Sequence, residues 1–292
     1  MKYENRVVAF IDILGFKSLL NETTRQDGSD NEENIDVLIK AYETIKDVWE
    51  IDEIYGSLSK PTSRKVSIFS DSIVISFEVG EESQVFSTLL DIKHLIMRLV
   101  YRKILCRGAV AIGKFIHTDN YLFGPALVEA YTLESKAAMY PRIILDRDVI
   151  DVAARNKPAR HSSDDEMKYV ESLLEQDSDG MYYIDYFFKA RTELDDPEYD
   201  FPEYIELLGG IIRKGLMGSS HHGKADLRVK YSWMRERYNR MVEIVTDKKS
   251  VSGLVDSGLS EVAEFYKNLK KISPNKDNKA LQSRVLLVLT NV

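Results

Sequence analysis

The run Val7-Val8-Ala9-Phe10-Ile11 ends directly on an aspartate. It is continuous rather than alternating and rich in β-branched residues, which suits a strand buried on both faces and so a central one. An ionised carboxylate at the end of such a run is costly unless it is paired or bound to a cation. The simpler reading of Asp12 is a turn residue or a helix cap. Asp71 raises the same choice. It stands in a Ser70-Asp71-Ser72 tip between two strand-like runs, and Lys65 to Phe77 reads as a β-hairpin.

The segments between these runs alternate in kind. Ser18 to Asn31 is polar and reads as a loop. Glu33 to Trp49 predicts a helix, because Ile35, Leu38, Tyr42, Ile45 and Trp49 recur at three- and four-residue spacing. Glu82 to Lys103 predicts a second amphipathic helix, Cys106 to Phe115 a strand, and Ala126 to Met139 a helix opened by Pro125. Arg142 to Leu145 predicts a short strand, with Asp146 capping a last short helix. This order predicts an α+β protein with a ferredoxin-like core, a mixed or antiparallel sheet with helices, over residues 1–155. Residues 156–292 read as a mainly helical extension packed on the core. It has a polar, acidic stretch from Lys157 to Asp179 and an aromatic stretch from Met181 to Phe188, the latter read as a strand and as core. Helices are expected at Phe201–Met217, Ala225–Asp247 and Ser260–Ile272, and an apolar tail runs from Leu281 to Leu289.

Composition narrows the function classes. A net charge of −7 disfavours non-specific nucleic-acid binding, which needs a basic face. It leaves room for a small anion that arrives with metal ions. No run of about 18 apolar residues predicts a membrane span, and the charged N-terminus lacks the apolar core and cleavage site of a signal peptide. The single cysteine, Cys106, excludes an intrachain disulfide and a cysteine zinc cluster. Together these predict a cytoplasmic chain with no membrane or nucleic-acid partner. His221-His222-Gly223 lies in a Gly/Ser loop without a second ligand set, and His94 and His117 read as isolated. No Walker loop, nucleophile elbow or Rossmann fingerprint is present.

In a ferredoxin-like core the first strand and the hairpin are neighbours at the sheet centre, so Asp12 and Asp71 can point at one spot. Two carboxylates suit Mg²⁺ or Mn²⁺, with substrate phosphates completing the coordination. Two such ions serve an in-line displacement at phosphorus. The glycine and aromatic that follow, in Asp12-Ile13-Leu14-Gly15-Phe16, suit an approach of phosphates to backbone amides.

These residues carry a resemblance. Phe10-Ile11-Asp12-Ile13-Leu14-Gly15-Phe16 resembles the first metal motif of the class III nucleotidyl cyclases. Phe69-Ser70-Asp71-Ser72 is similar to their second, where a glycine often precedes the aspartate. Arg107 to Gly113, then Phe123-Gly124, Ala130 and Leu133-Glu134, follow in the family's order over roughly residues 5–150. The resemblance implies two divalent metal ions (Mg or Mn) held by Asp12, Ile13 and Asp71, with Phe16 against the substrate. Four positions depart from the purine cyclases. Ser67 stands where a lysine reads the base, Tyr121 where its acidic partner stands, and Val128 and Thr132 where an asparagine and an arginine hold ribose and triphosphate. Lys136 is the first candidate for the replacement cation, with Lys114 and Arg107 as others, each also readable as a solvated surface charge.

With these departures, Leu127 to Lys136, Tyr140-Pro141-Arg142 and Lys230-Tyr231-Ser232-Trp233 resemble the pyrimidine cyclases of Pycsar antiphage defence. That implies a homodimer converting UTP or CTP to the 3′,5′-cyclic mononucleotide, which signals to a separate effector protein. Ser67, Tyr121 and Thr132 would then be substrate-binding, and Asp12, Asp71 and Lys136 catalytic. Two alternatives stay open: a catalytically inactive, cyclase-like binding module, and a purine or diguanylate cyclase. The diguanylate family's Gly-Gly-(Asp/Glu)-Glu-Phe turn is replaced here by Phe69-Ser70-Asp71-Ser72-Ile73.

Overall fold

The apolar run near the N-terminus lies in the middle of a sheet. The computed structural model describes residues 2–55 and 63–274. In it the chain is α+β, with β1 (Glu4–Ile13), β2 (Lys65–Phe69), β3 (Ser72–Glu78) and β4 (Cys106–His117) all antiparallel to their neighbours in the order β2-β3-β1-β4. Between them come α1 (Phe16–Glu22), α2 (Glu32–Tyr55) and α3 (Gln84–Tyr101). This order and connectivity are those of a ferredoxin-like core. The sheet then extends through β6 (Ile143–Leu145), parallel to β4, and on to β8 (Tyr182–Ile184) and β7 (Leu174–Gln176). The short β5 (Leu122–Phe123) pairs with the end of β4.

Both faces of β1 are covered, which is why its residues do not alternate. Val7 and Ala9, with Ile75, Phe77 and Val110, face Val85, Leu89 and Ile92 of α3. Val8 and Phe10, with Val74, Ala111 and Phe115, pack against Ala126 and Ala130 of α4 (Pro125–Lys136). Gly124, which opens α4, has a φ of 153°. A Cβ there would lie 2.6 Å from the Lys114 carbonyl oxygen and 2.8 Å from Phe115 Cα, both backbone atoms that cannot turn aside. Gly124→Ala is expected to cost about 2 kcal/mol or more. A fall in the urea midpoint checks this, and an unchanged midpoint would show that the start of α4 shifts freely.

The chain divides into two compact units, 1–190 and 191–292. The boundary expected at residue 155 therefore falls inside the first unit. After α5 (Arg147–Arg155), residues 156–190 supply α6 (Ser163–Ser172), β7 and β8 to that unit's sheet and helices. Arg142, fully buried, holds the β7–β8 turn through Asp177 at 2.5 Å and through Asp179. Tyr183, Tyr186 and Phe187 are buried, as the aromatic stretch predicts. The second unit consists of α7 (Pro197–Gly218), α8 (Ala225–Val245), α9 (Lys248–Asp256) and α10 (Ser260–Asn268), with Phe201, Tyr204, Leu208, Trp233 and Met234 in its core. Among the described residues no helix is long and apolar enough to cross a membrane. The tail from Leu281 to Leu289 lies outside the described residues.

Candidate active site

Antiparallel pairing puts paired side chains on one face. Asp12 is opposite Ser72 of β3 and Arg107 of β4, so all three project toward the α4 face. Asp71 sits in the turn between β2 and β3. Its carbonyl accepts the Ile13 amide at 2.9 Å, pinning the hairpin tip to the end of β1. The turn holds Ser70 in the left-handed region at φ 51°, which glycine tolerates best, and Tyr42 donates its hydroxyl to the Ser70 carbonyl at 2.5 Å. The two aspartates thus lie at the same end of β1, close enough for Asp71 to act on the Asp12 carboxyl.

The surroundings of Asp12 are more charged than the sequence suggests. Arg107 Nε lies 3.6 Å from Asp12 Oδ2 and 2.5 Å from Oε1 of Glu134, a buried residue of α4. Arg107 is therefore an ion-paired residue of the site and not a solvated surface charge. Burial, with the Glu134 carboxylate behind it, pushes the Asp12 carboxyl up to about 6, against the pull of Arg107. Asp71 adds to the rise. A carboxyl under this strain gains from a cation. The donors are hard oxygens, which fit Mg²⁺ or Mn²⁺. Among the described residues no three His, Cys, Asp or Glu side chains converge as a ready metal cage. A pair of carboxylates is the protein's usual share where phosphates and water supply the remaining ligands.

The other expected residues divide. Ile13 is buried beside Asp71. Phe16 turns its ring inward, edge-on to Tyr42, so its contact with any substrate would run through its main chain. Thr132 donates its hydroxyl to the Val128 carbonyl of its own helix at 2.6 Å. Lys136 is exposed at the end of α4. Tyr121 is exposed in the turn from β4 to β5. Ser67 of β2 is half-buried on the same face as Asp12, two strands away and one same-face step along, about 12 Å by sheet geometry.

His117, which reads as isolated in the sequence, is not. Its Nε2 is 2.9 Å from Ser67 Oγ and its Nδ1 is 2.8 Å from Ser76 Oγ. Arg6 Nε donates to the same Ser76 oxygen at 2.9 Å. Burial, with Arg6 and Lys65 nearby, holds the His117 imidazole down at about 4. The unfolded chain binds a proton near 6.5 that the native state refuses until about 4, so this contribution is present above pH 6.5 and is lost as the pH falls through that window. The expected loss between pH 7 and pH 5 is on the order of 2 kcal/mol. Urea midpoints of wild type and His117→Phe at both pH values check it, and equal slopes in the two proteins would contradict it. By contrast, burial pushes the Cys106 thiol up to about 12, which leaves it unreactive. His221 accepts the Gly223 amide through Nδ1 at 3.1 Å, a local turn cap.

No family model and no curated protein matches the sequence. Among solved structures, the chain is similar to the monomeric guanylyl cyclase domain of the RhoGC fusion protein from the aquatic fungus Blastocladiella emersonii. The TM-score is 0.36 and the identity 13%, over 63% of this chain and 96% of that one. It is similar to a class III adenylyl cyclase-like ATP-binding protein from Pseudomonas aeruginosa, with a TM-score of 0.39 and 12% identity over 59% of this chain and 44% of that one. The catalytic core of a rhodopsin-guanylyl cyclase with converted specificity, in complex with ATPαS, gives 0.36 and 12% over 63% and 96%.

Proposed function

We propose that the chain is a two-metal nucleotidyl cyclase that converts a pyrimidine nucleoside triphosphate, UTP or CTP, to its 3′,5′-cyclic monophosphate and pyrophosphate. The observation that carries this is the meeting of Asp12 and Asp71 at the end of the central strand β1, whose Asp12 face also presents Ser67. Asp12 and Asp71, beside Ile13, would hold Mg²⁺ or Mn²⁺. Bound there, such ions activate the ribose 3′-oxygen and stabilise the leaving phosphate oxygen. The chain's own part is to fix the two carboxylates, to keep Arg107 against Asp12, and to present Ser67 to the base. In the reaction the 3′-oxygen forms a bond to the α-phosphorus, the bond from that phosphorus to the bridging oxygen breaks, and the 3′-hydroxyl proton passes to solvent.

On this reading Ser67 and Tyr121 replace the long lysine and the acid of a purine site, and the bulk of tyrosine would narrow the pocket. We place UTP ahead of CTP on resemblance. Equal ATP, GTP, CTP and UTP with Mn²⁺ in one reaction are expected to yield mainly cyclic UMP, then cyclic CMP. Predominant cyclic AMP or GMP would refute the pyrimidine pocket. Tyr121→Ala is expected to lower discrimination more than metal binding. Thr132, engaged within its own helix, favours a second reading: a module that binds nucleotide without turnover. Binding by calorimetry with no product would select it. A product of this kind would act on a separate effector, as in antiphage signalling.

The working form we propose is a two-fold homodimer. Tyr121, Phe123, Val128 and Tyr131 are large apolar side chains left exposed around α4, where a second copy would cover them. Glu134 faces its own chain's Arg107, so the outward residues of α4, with Thr132 and Lys136, are those left for the partner's site. Sedimentation at working concentration is expected to give a dimer, and an active monomer would count against this.

A further inference from the structure

The hydrogen-bond chain behind Ser67 has a direction. A guanidinium only donates, so Ser76 Oγ accepts from Arg6 Nε. Ser76 is fully buried, and its hydroxyl proton has no water to meet. Among the described residues the partner left for that proton is His117 Nδ1, at 2.8 Å. Nδ1 then accepts, and a neutral imidazole that accepts at Nδ1 carries its proton on Nε2. Nε2–H therefore donates to Ser67 Oγ at 2.9 Å. Ser67 receives this bond and keeps its own proton to give away. It is half-buried on β2, at the edge of the sheet among the described residues, so that proton is presented to the face carrying Asp12.

We infer that His117 is a positioning residue that sets Ser67 as a hydrogen-bond donor toward position 4 of the base, so that uracil, whose O4 accepts, is selected over cytosine, whose 4-amino group donates. This rests on the proposed reading of Ser67 as the base-contacting residue and supplies a physical reason for UTP before CTP. An amino group at that position would leave the Ser67 proton without an acceptor, and a site built around a hydrogen bond rejects the analogue that leaves it unmade. The charged groups facing the ring are Arg6, Lys65 and Asp119. Lys65 and Asp119 pair with each other at 3.0 Å. Arg6, at the buried end of the chain, keeps Ser76 oriented.

Two measurements test the relay. In the full-length protein with ¹⁵N-labelled histidine, long-range proton–nitrogen spectra at pH 7 are expected to show His117 as the Nε2–H tautomer. An Nδ1–H ring or a doubly protonated ring overturns the relay whether or not the protein turns over nucleotide. The second readout is the product ratio from equal UTP and CTP. Ser67→Ala and His117→Phe are each expected to lower the UTP preference by about tenfold, and the double variant no further, because both break one path. His117→Gln, which keeps an N–H donor toward Ser67, is expected to restore most of the preference. An unchanged ratio in folded Ser67→Ala or His117→Phe overturns the inference, as does an equal loss of both products with the ratio kept. If wild type makes no cyclic nucleotide, the proposed function fails, and the tautomer spectrum still decides the relay.

Discussion

Asp12→Asn and Asp71→Asn are each expected to abolish turnover in a protein that remains folded. An amide offers an oxygen but no charge, and the stabilisation that metal ions give to a phosphoryl displacement amounts to several kcal/mol. That is roughly a thousandfold or more in rate. Asp12 carries a second, opposite signature. Its carboxyl is raised from 3.8 to about 6, so between these values the native state holds a proton that the unfolded chain has shed. Stability of the metal-free protein therefore falls as the pH rises through that window. At neutral pH the ionised Asp12 costs on the order of 3 kcal/mol. Asp12→Asn is expected to raise the metal-free melting temperature by several degrees at pH 7. Wild type is expected to gain stability from Mn²⁺, and the variant to lose most of that gain. Thermal melts with and without Mn²⁺, beside turnover assays, check both. Full activity in either variant would remove the aspartates from the mechanism.

Removing the Arg107 side chain is expected to lower stability strongly. The Glu134 side chain is 3% exposed and its carboxylate lies 2.5 Å from Arg107 Nε. In Arg107→Ala that carboxylate stays buried without its cation, beside Asp12, which also loses the partner that lowers its pKa. Breaking one side of a buried ion pair typically costs about 3–5 kcal/mol. The pair should be strongly coupled. Arg107→Ala combined with Glu134→Gln is therefore expected to recover a large part of the loss, because the stranded charge is gone. Urea unfolding of the two single variants and the double variant measures this. Additive losses would show that Glu134 does not depend on Arg107.

The core of the first unit was legible because burial on both faces leaves an apolar run that polar segments cannot imitate. Asp12 and Asp71 stood out for the same reason, as charges set against strands. Three helices were not legible. The residues Phe16–Glu22 span two turns, too few for a periodicity to emerge from a polar stretch. The residues Ser163–Ser172 carry few apolar side chains, although Ser162 and Asp165 form a capping box that marks their start. The residues Lys248–Asp256 follow directly on another helix, and only Asp247, which caps them by accepting the Lys249 amide, separates the two. The extension of the sheet beyond residue 155 was legible only in part: the aromatic stretch from Met181 to Phe188 holds β8, whereas β7 is three residues long in a stretch that reads as polar.

Around the site, what escaped the sequence depends on register. Arg107 is drawn to Asp12 by strand pairing and to Glu134 by the docking of α4. Ser67 and Ser76 meet His117 from 50 and 41 residues away. Counting alternate residues outward from Asp12 on β1 reaches Arg6, and the paired positions on β3 reach Ser76. That parity was the signal available once the pairing is known. Thr132 was placed by the resemblance and Lys136 by its spacing one turn beyond, and neither says which helix face meets the sheet.

Product identification decides whether the chain cyclises a pyrimidine triphosphate. The purified full-length chain is incubated with UTP and Mn²⁺, and the products are resolved by mass spectrometry. The expected result is cyclic UMP and pyrophosphate in equal amounts, abolished by a chelator and absent in Asp12→Asn. Release of UDP, UMP or a dinucleotide instead, or no product from any of the four triphosphates, would contradict it.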